Sequence, residues 1–248
     1  MTVELAHDIT GEGPLLVLVH GITENRHSWD PLLSDLARDH RVLRVDLRGH
    51  GESPKGPGYG VADLAADVEA LVDAPPLLVG HSFGGTVVTA YAALFPARGV
   101  INVDQSLDLA PMQAGLKQQD ALLRGPAFPA VMDALFDSLR GSASDEEWAR
   151  LSALRRYDQD VVLGVWSVLL DTTPAELDAE ITAMTSGITA PYLSLHGFDP
   201  GPGYAEWLAA RIPGAVTEAD PGVGHYRHLV HPEEFLARLR RFEAELPA

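Results

Sequence analysis

Two kinds of apolar pattern alternate along the first hundred residues. Short strand-like runs lie at Leu15–Val19, Arg41–Val45, Leu77–Val79 and Val100–Val103, with the length and β-branched content of buried strands. Between them apolar residues recur at helical spacing. One set is Trp29, Leu32, Leu33 and Leu36; another is Val61, Leu64, Val68, Leu71 and Val72, stopped by Pro75-Pro76. A third helix runs to about Phe95, where Pro96 ends it. Strand and helix in repeated alternation predict an α/β fold, a doubly wound, mostly parallel sheet with helices on its faces.

The rhythm breaks near residue 107. From there to about 187 only helical patterns occur, the cleanest being Phe128, Val131, Met132, Leu135, Phe136 and Leu139. Helix starts are marked chemically. Ser144 stands three residues before Glu147 as a capping box, Asp158 opens the next pattern, and Thr173 precedes Pro174 and Glu176. Strand patterns return at Pro191–Leu195 and Ala215–Glu218, and a last helix from Pro232 carries Phe235, Leu239 and Phe242. The expected organisation is a core made of residues 1–106 and 188–248, interrupted by a helical cap at 107–187.

Composition narrows the functional classes. A length of 248 residues suits one medium domain or a smaller core with one insertion. The formal net charge of −17 repels phosphate backbones and anionic membrane faces, so neither nucleic acid nor membrane is an expected partner. The absence of cysteine excludes disulfides, thiolate metal sites and a Cys nucleophile. The first residues lack a basic segment followed by an apolar run, and no apolar stretch reaches membrane-span length. The expectation is a cytoplasmic enzyme acting on a small molecule.

Gly80-His81-Ser82-Phe83-Gly84 sits between an apolar strand and a helix. A G-x-S-x-G motif in that context is a nucleophile elbow: the tight turn lifts the serine above the sheet edge, and the two glycines let the backbones approach. The helix that follows aims free N–H groups and its positive dipole end at a developing oxyanion. Phe83 would supply one backbone donor, and Ile22, in His20-Gly21-Ile22 at the end of an earlier strand, the other. The His20 side chain itself reads as a packing and hydrogen-bonding group. His225 lies after the last strand and before the last helix, where a loop can drop an imidazole onto the serine. His228 and His231 follow at three-residue spacing but lack the companion ligands of a zinc site, and read as helix-entry or surface residues. Two carboxylates end strands that can face the far nitrogen of His225: Asp199 in His196-Gly197-Phe198-Asp199, and Asp104 after Val103.

Together these residues resemble the α/β-hydrolase superfamily, in its single-domain, cap-bearing branch of esterases and lactonases. The resemblance rests on His20-Gly21, the segment Asp46 to Ser53, Gly80 to Gly85, His196 to Asp199 and Gly222 to His225, in the order Ser, Asp, His. It implies catalytic Ser82, His225 and Asp199, with Asp104 as the alternative acid because Gly197-Phe198-Asp199 is one residue shorter than the usual Gly-x-x-Asp. The segment beginning at Asp46 is structural in such proteins. The implied reaction is hydrolysis of a small or medium uncharged ester or lactone through an acyl-enzyme, with no cofactor or metal. The same fold also hosts lyases, acyltransferases, C–C hydrolases, cofactor-free oxygenases and idle small-molecule binders.

Overall fold

The computed structural model describes residues 2–247. A seven-stranded sheet runs through it in the order β1-β3-β2-β4-β5-β6-β7. The strands are β1 (His7–Thr10), β2 (Leu15–Val19), β3 (Arg41–Val45), β4 (Leu77–His81), β5 (Gly99–Val103), β6 (Tyr192–His196) and β7 (Val216–Ala219). β1 pairs antiparallel with β3; all other pairs are parallel. The mostly parallel, doubly wound sheet is therefore present, with an antiparallel edge strand that the apolar pattern does not mark. In β1 only Ile9 is apolar among four residues, and it is exposed, so no alternation identifies the strand.

The core helices are α1 (Asp30–Leu36), α2 (Val61–Glu69), α3 (Phe83–Leu94), α11 (Tyr204–Arg211), α12 (Arg227–Val230) and α13 (Pro232–Ala244), with a single turn at Arg26–Trp29 ahead of α1. They cover both sheet faces. Val17 and Val19 of β2 turn towards Leu64, Val68, Val87 and Tyr91 of α2 and α3. Leu16 and Leu18 turn towards Leu32 and Leu36 of α1 and Phe235 and Leu239 of α13. A strand buried on both faces needs apolar side chains at every position, which is why Leu15–Val19 reads as an unbroken run.

Between β5 and β6 the chain forms α4 (Ala110–Gln118), α5 (Asp120–Leu123), α6 (Phe128–Leu139), α7 (Asp145–Leu154), α8 (Gln159–Val165), α9 (Ser167–Leu170) and α10 (Pro174–Thr185). Their buried faces form a cluster of their own, including Phe128, Met132, Phe136, Val165, Trp166 and Leu177, which meets Ile22 and Phe83 of the core. The capping chemistry explains the breaks. Thr173 and Glu176 form a reciprocal box at α10, and the Asp158 carboxylate accepts from the Val161 N–H at α8. At α7 only half the expected box forms: Ser144 Oγ accepts from the Glu147 N–H, while the Glu147 carboxylate turns to Arg150. Among the described residues, no helix is long and apolar enough to cross a membrane.

The turn-rich segment after β3 is held by ion pairs. Arg48 and Asp67 form a fully buried pair at 2.6 Å, and Asp67 Oδ1 also accepts from the Val3 N–H at 2.7 Å. The Asp46 carboxylate accepts from the N–H groups of Arg26 and Glu52. These contacts brace loops near the carboxyl ends of the strands.

Candidate active site

Ser82 follows β4 at φ 52°, ψ −128°, a conformation that L residues rarely adopt. Such strain costs about 1–3 kcal/mol and persists only when the surroundings over-determine it. Here they do. The Ser82 N–H donates to the Val103 carbonyl at 2.9 Å, and the Ser82 carbonyl accepts from Gly85 N–H at 2.7 Å. A Cβ on Gly80 would meet the Gly84 carbonyl oxygen at 2.2 Å, and one on Gly84 would meet the Val19 carbonyl oxygen at 2.3 Å. Only glycine permits this double approach, so the two flanking glycines and the strained serine are one structural unit.

Phe83 is the first residue of α3, and the first N–H groups of a helix have no intrahelical acceptor. The loop after β2 comes close to the same place, since a Cβ on Gly21 would lie 3.2 Å from Ser82 Cβ. Ile22 lines the same cavity as Ser82. His20 is fully buried. Its Nε2 accepts from the Leu47 N–H at 3.0 Å and its Nδ1 lies 2.7 Å from the Gly21 carbonyl, so it holds the loop as a neutral ring. Burial lowers its pKa, in keeping with that state.

The carboxylate that meets the imidazole is Asp104. His225 Nδ1 is 2.6 Å from Asp104 Oδ2, and both side chains are buried. The other oxygen, Oδ1, accepts from the N–H groups of Gly197 at 2.6 Å and Phe198 at 3.3 Å. Burial by itself would raise the Asp104 pKa, but the His225 contact and the Gly197 N–H hold it below the usual carboxylate range. Asp199, the expected first choice, does not take this position. It is exposed and accepts from the Gly201 N–H two residues on, at 2.9 Å. The physical reason is the short loop after β6. Its first two residues, Gly197 and Phe198, are spent donating N–H groups to Asp104, and Asp199, which still lines the cavity, turns its carboxylate to the Gly201 N–H instead of His225. Asp104 is itself at φ 54°, held by its N–H to the Leu195 carbonyl at 2.7 Å.

His225 is fixed from three directions. Its N–H donates to the Leu139 carbonyl at 3.2 Å at the end of α6, and the preceding Gly224 N–H donates to Gly197 at 3.0 Å. Gly224 and Gly141 are so close that a Cβ on Gly141 would meet Gly224 Cα at 2.3 Å. With Nδ1 donating to the ionised Asp104, Nε2 is left as an acceptor, the protonation pattern of a general base. Ser82, Asp104, His225 and Ile22 line one cavity of about 330 Å³. Met112, Leu135, Phe136, Leu139 and Trp166 from the helical block close its other side. His196 also lines it; burial pushes this ring down to about 4, and its Nε2 is 2.8 Å from Ser194 Oγ. Its role as a wall of the cavity had no sequence signal beyond its place at a strand end. A larger cavity of about 390 Å³, between Tyr59, Thr86, Val168, Ile181 and Met184, touches none of Ser82, Asp104 or His225.

The two trailing histidines separate. His228 is fully buried, against the surface reading of it, with its ring against Trp29 at 4.8 Å and His81 at 4.5 Å. His231 stands at the start of α13. Among the described residues, no group of three or more His, Cys, Asp or Glu side chains is arranged to hold a metal ion.

The chain matches the model of the Alpha/beta hydrolase family over residues 16–238. It is 27% identical over 242 residues to Esterase YbfF of Escherichia coli (strain K12), covering 92% of each chain. It is 28% identical to the pimeloyl-[acyl-carrier protein] methyl ester esterase of Neisseria meningitidis serogroup B / serotype 15 (strain H44/76), covering 91% of each. Among solved structures it superposes on the enol-lactonase from Burkholderia xenovorans LB400 with a TM-score of 0.74 and 25% identity, over 98% of this chain and 97% of that one.

Proposed function

The chain belongs to the alpha/beta hydrolase family, and on that footing we propose that it hydrolyses a carboxylic ester or lactone through an acyl-enzyme formed on Ser82. The observation that carries this reading is the 2.6 Å contact of Asp104 with His225 beside a strained Ser82 in one cavity. In the proposed reaction Ser82 Oγ attacks the carbonyl carbon while its proton passes to His225 Nε2. The oxyanion accepts from the N–H groups of Ile22 and Phe83. Asp104 holds the ring orientation and faces the imidazolium as it forms. Collapse of the tetrahedral species breaks the bond to the leaving oxygen, which takes the proton from His225. Water then repeats the sequence on the acyl-enzyme, and Ser82 leaves with its proton restored.

The cavity lining supports an uncharged substrate with an apolar acyl part. Ile22, Met112, Leu135, Phe136, Leu139 and Trp166 present apolar surface, and no Lys or Arg is among the lining residues. A volume of about 330 Å³ suits a small or medium molecule. The net charge of −17 also slows the approach of anions. Esterases among the curated relatives support the same reaction class.

The test is intact-mass detection of a fluorophosphonate adduct mapped to Ser82, followed by turnover of nitrophenyl esters of rising chain length, neutral lactones and acyl-coenzyme A thioesters. An adduct on Ser82 with preference for a neutral ester or lactone is the expected result. Preference for an acyl-coenzyme A overturns the substrate class. Labelling with no turnover on the whole panel points instead to a lyase or oxygenase.

A further inference from the structure

Behind Asp104 and His225 lies a second buried carboxylate–histidine pair, unused by the reaction above. Glu24 sits two residues after Ile22, and His81 immediately precedes Ser82; both side chains are 1% exposed. Glu24 Oε2 and His81 Nδ1 are 3.6 Å apart, and among the described residues neither atom has a hydrogen-bond partner. The remaining atoms of the pair are engaged. Glu24 Oε1 accepts from the Tyr226 hydroxyl at 2.7 Å, and that hydroxyl accepts from Arg155 Nη2 at 3.1 Å. His81 Nε2 is 2.9 Å from the His225 carbonyl oxygen.

The tautomer follows from the partners. A carbonyl only accepts, so His81 Nε2 carries a proton. A neutral ring would then turn the bare lone pair of Nδ1 towards a buried carboxylate oxygen, and two acceptors at that distance repel. One further proton between the two atoms removes the conflict. The pair is thus joined by a proton between Nδ1 and Glu24, while the Nε2–H faces the His225 carbonyl. Burial would raise the Glu24 carboxyl, but His81 and the Tyr226 hydroxyl hold it well below the usual carboxylate range. The groups packed on the His81 ring are His225 at 4.6 Å, Tyr226 at 4.9 Å and His228 at 4.5 Å, all uncharged when His225 is the free base and His228 is neutral. Burial holds His228 well below the ordinary histidine value, which keeps it neutral.

We propose that Glu24, His81 and Tyr226 are positioning residues for the base. Glu24 fixes the His81 ring from its Nδ1 side, the Nε2–H on the other side holds the main chain of His225 at a fixed depth, and Tyr226 ties the same loop to Glu24 a second time. The three loops that carry Ile22, Ser82 and His225 thus meet at one polar point. Asp104 sets the rotation of the imidazole; this cluster sets how far its backbone stands from Ser82. The inference rests on the assignment of Ser82 and His225 as nucleophile and base. A displacement of reacting groups by about 1 Å costs on the order of a hundredfold in rate, so a loose base loop registers in kcat and leaves KM alone.

The experiment compares His81→Leu, His81→Gln and Tyr226→Phe in the full chain, each verified as folded by near-ultraviolet circular dichroism. kcat and KM are measured on an active ester, together with the rate of fluorophosphonate labelling at Ser82. His81→Leu is expected to lower kcat and the labelling rate by about ten- to a hundredfold at nearly constant KM. His81→Gln places an amide N–H near the position of Nε2 and is expected to recover most of the loss. Tyr226→Phe, which deletes one hydroxyl and keeps the ring, is expected to cost roughly threefold to tenfold in kcat. A folded His81→Leu with the labelling rate of the unaltered protein overturns the proposal, as does a Gln variant no better than Leu. If His81→Leu does not fold, an unchanged kcat in Tyr226→Phe overturns it. Failure of the unaltered protein to label at Ser82 is a different outcome: it removes the nucleophile assignment, and this inference with it.

Discussion

Asp104 Oδ2 and His225 Nδ1 are 2.6 Å apart although 121 residues separate them in the chain. The contact is made by two loops at the carboxyl ends of β5 and β7, with β6 between them in the sheet. The loop after β6 lends its N–H groups to Asp104. The Asp104 carboxylate is thus held by the loop of the neighbouring strand as well as by His225.

Asp104→Asn and Asp199→Asn separate the two carboxylates. Asp104→Asn is expected to lower kcat by about ten-thousandfold, because an amide at this position can present an N–H to Nδ1 and reverse the tautomer. Asp199→Asn is expected to keep activity within about twofold, since its carboxylate bonds only a local N–H. Steady-state kinetics on one activated ester decides, and the reverse order of effects would return the role to Asp199.

Ser82→Ala is expected to reduce turnover by about a millionfold, leaving only the contribution of the oxyanion donors and binding. It removes only the hydroxyl and leaves the Cβ and the flanking glycines unaltered, so the fold should persist. Retention of a tenth of the activity in a purified variant would exclude a serine mechanism.

Gly141→Ala tests a connection between the helical block and the base. Gly141 lies in none of the sequence motifs, yet its φ is 56° and an added Cβ would strike Gly224 Cα at 2.3 Å. The main chain must shift, and the loop that carries His225 shifts with it. The expected result is a fall of kcat by roughly tenfold or more, together with a stability loss of about 1–3 kcal/mol. Thermal unfolding and kcat measured on the same preparation check both parts.

Acid should destabilise the fold before the carboxylates titrate. Burial pushes His50 and His196 from 6.5 down to about 4. Both bind protons more readily unfolded than folded, so their contribution is fully present above about pH 6.5. It is lost as pH falls towards 4, at up to about 3 kcal/mol each. Urea unfolding at pH 7, 6, 5 and 4 should show this slope. His50→Asn keeps a donor near Nδ1, which lies 3.0 Å from the Arg48 carbonyl, and removes the titration. The slope should flatten in that variant; an unchanged slope would assign the effect to other groups.

Much of the fold was written locally. β2 is buried on both faces and so carries apolar residues throughout, β5 does so apart from Gly99 and Asn102, and the α3, α8 and α10 boundaries follow from Pro96, Asp158 and the Thr173–Glu176 box. The elbow was legible for the same reason, because the backbone approaches at Gly80 and Gly84 impose residue identity at fixed spacing. The edge strand β1 left no mark, since main-chain pairing to β3 forms it with hardly any apolar burial. α11 was equally silent, a short helix after Gly201-Pro202-Gly203 with only Tyr204 and Leu208 buried.

What the chain alone determined was which residue types stand at which strand ends: Ser82, His225 and two candidate acids. Tertiary structure decided which of the two carboxylates meets His225, because that depends on the path of the loop after β6 and on which carboxylate collects its N–H groups. It also decided that Glu24, His81 and Tyr226 share one buried point, and that His228 is interior. These contacts join residues far apart along the chain, from 57 to 202 positions for the Glu24 and Tyr226 pairs. No local periodicity or spacing encodes such a pairing; it exists only once the sheet has brought the loops to the same edge.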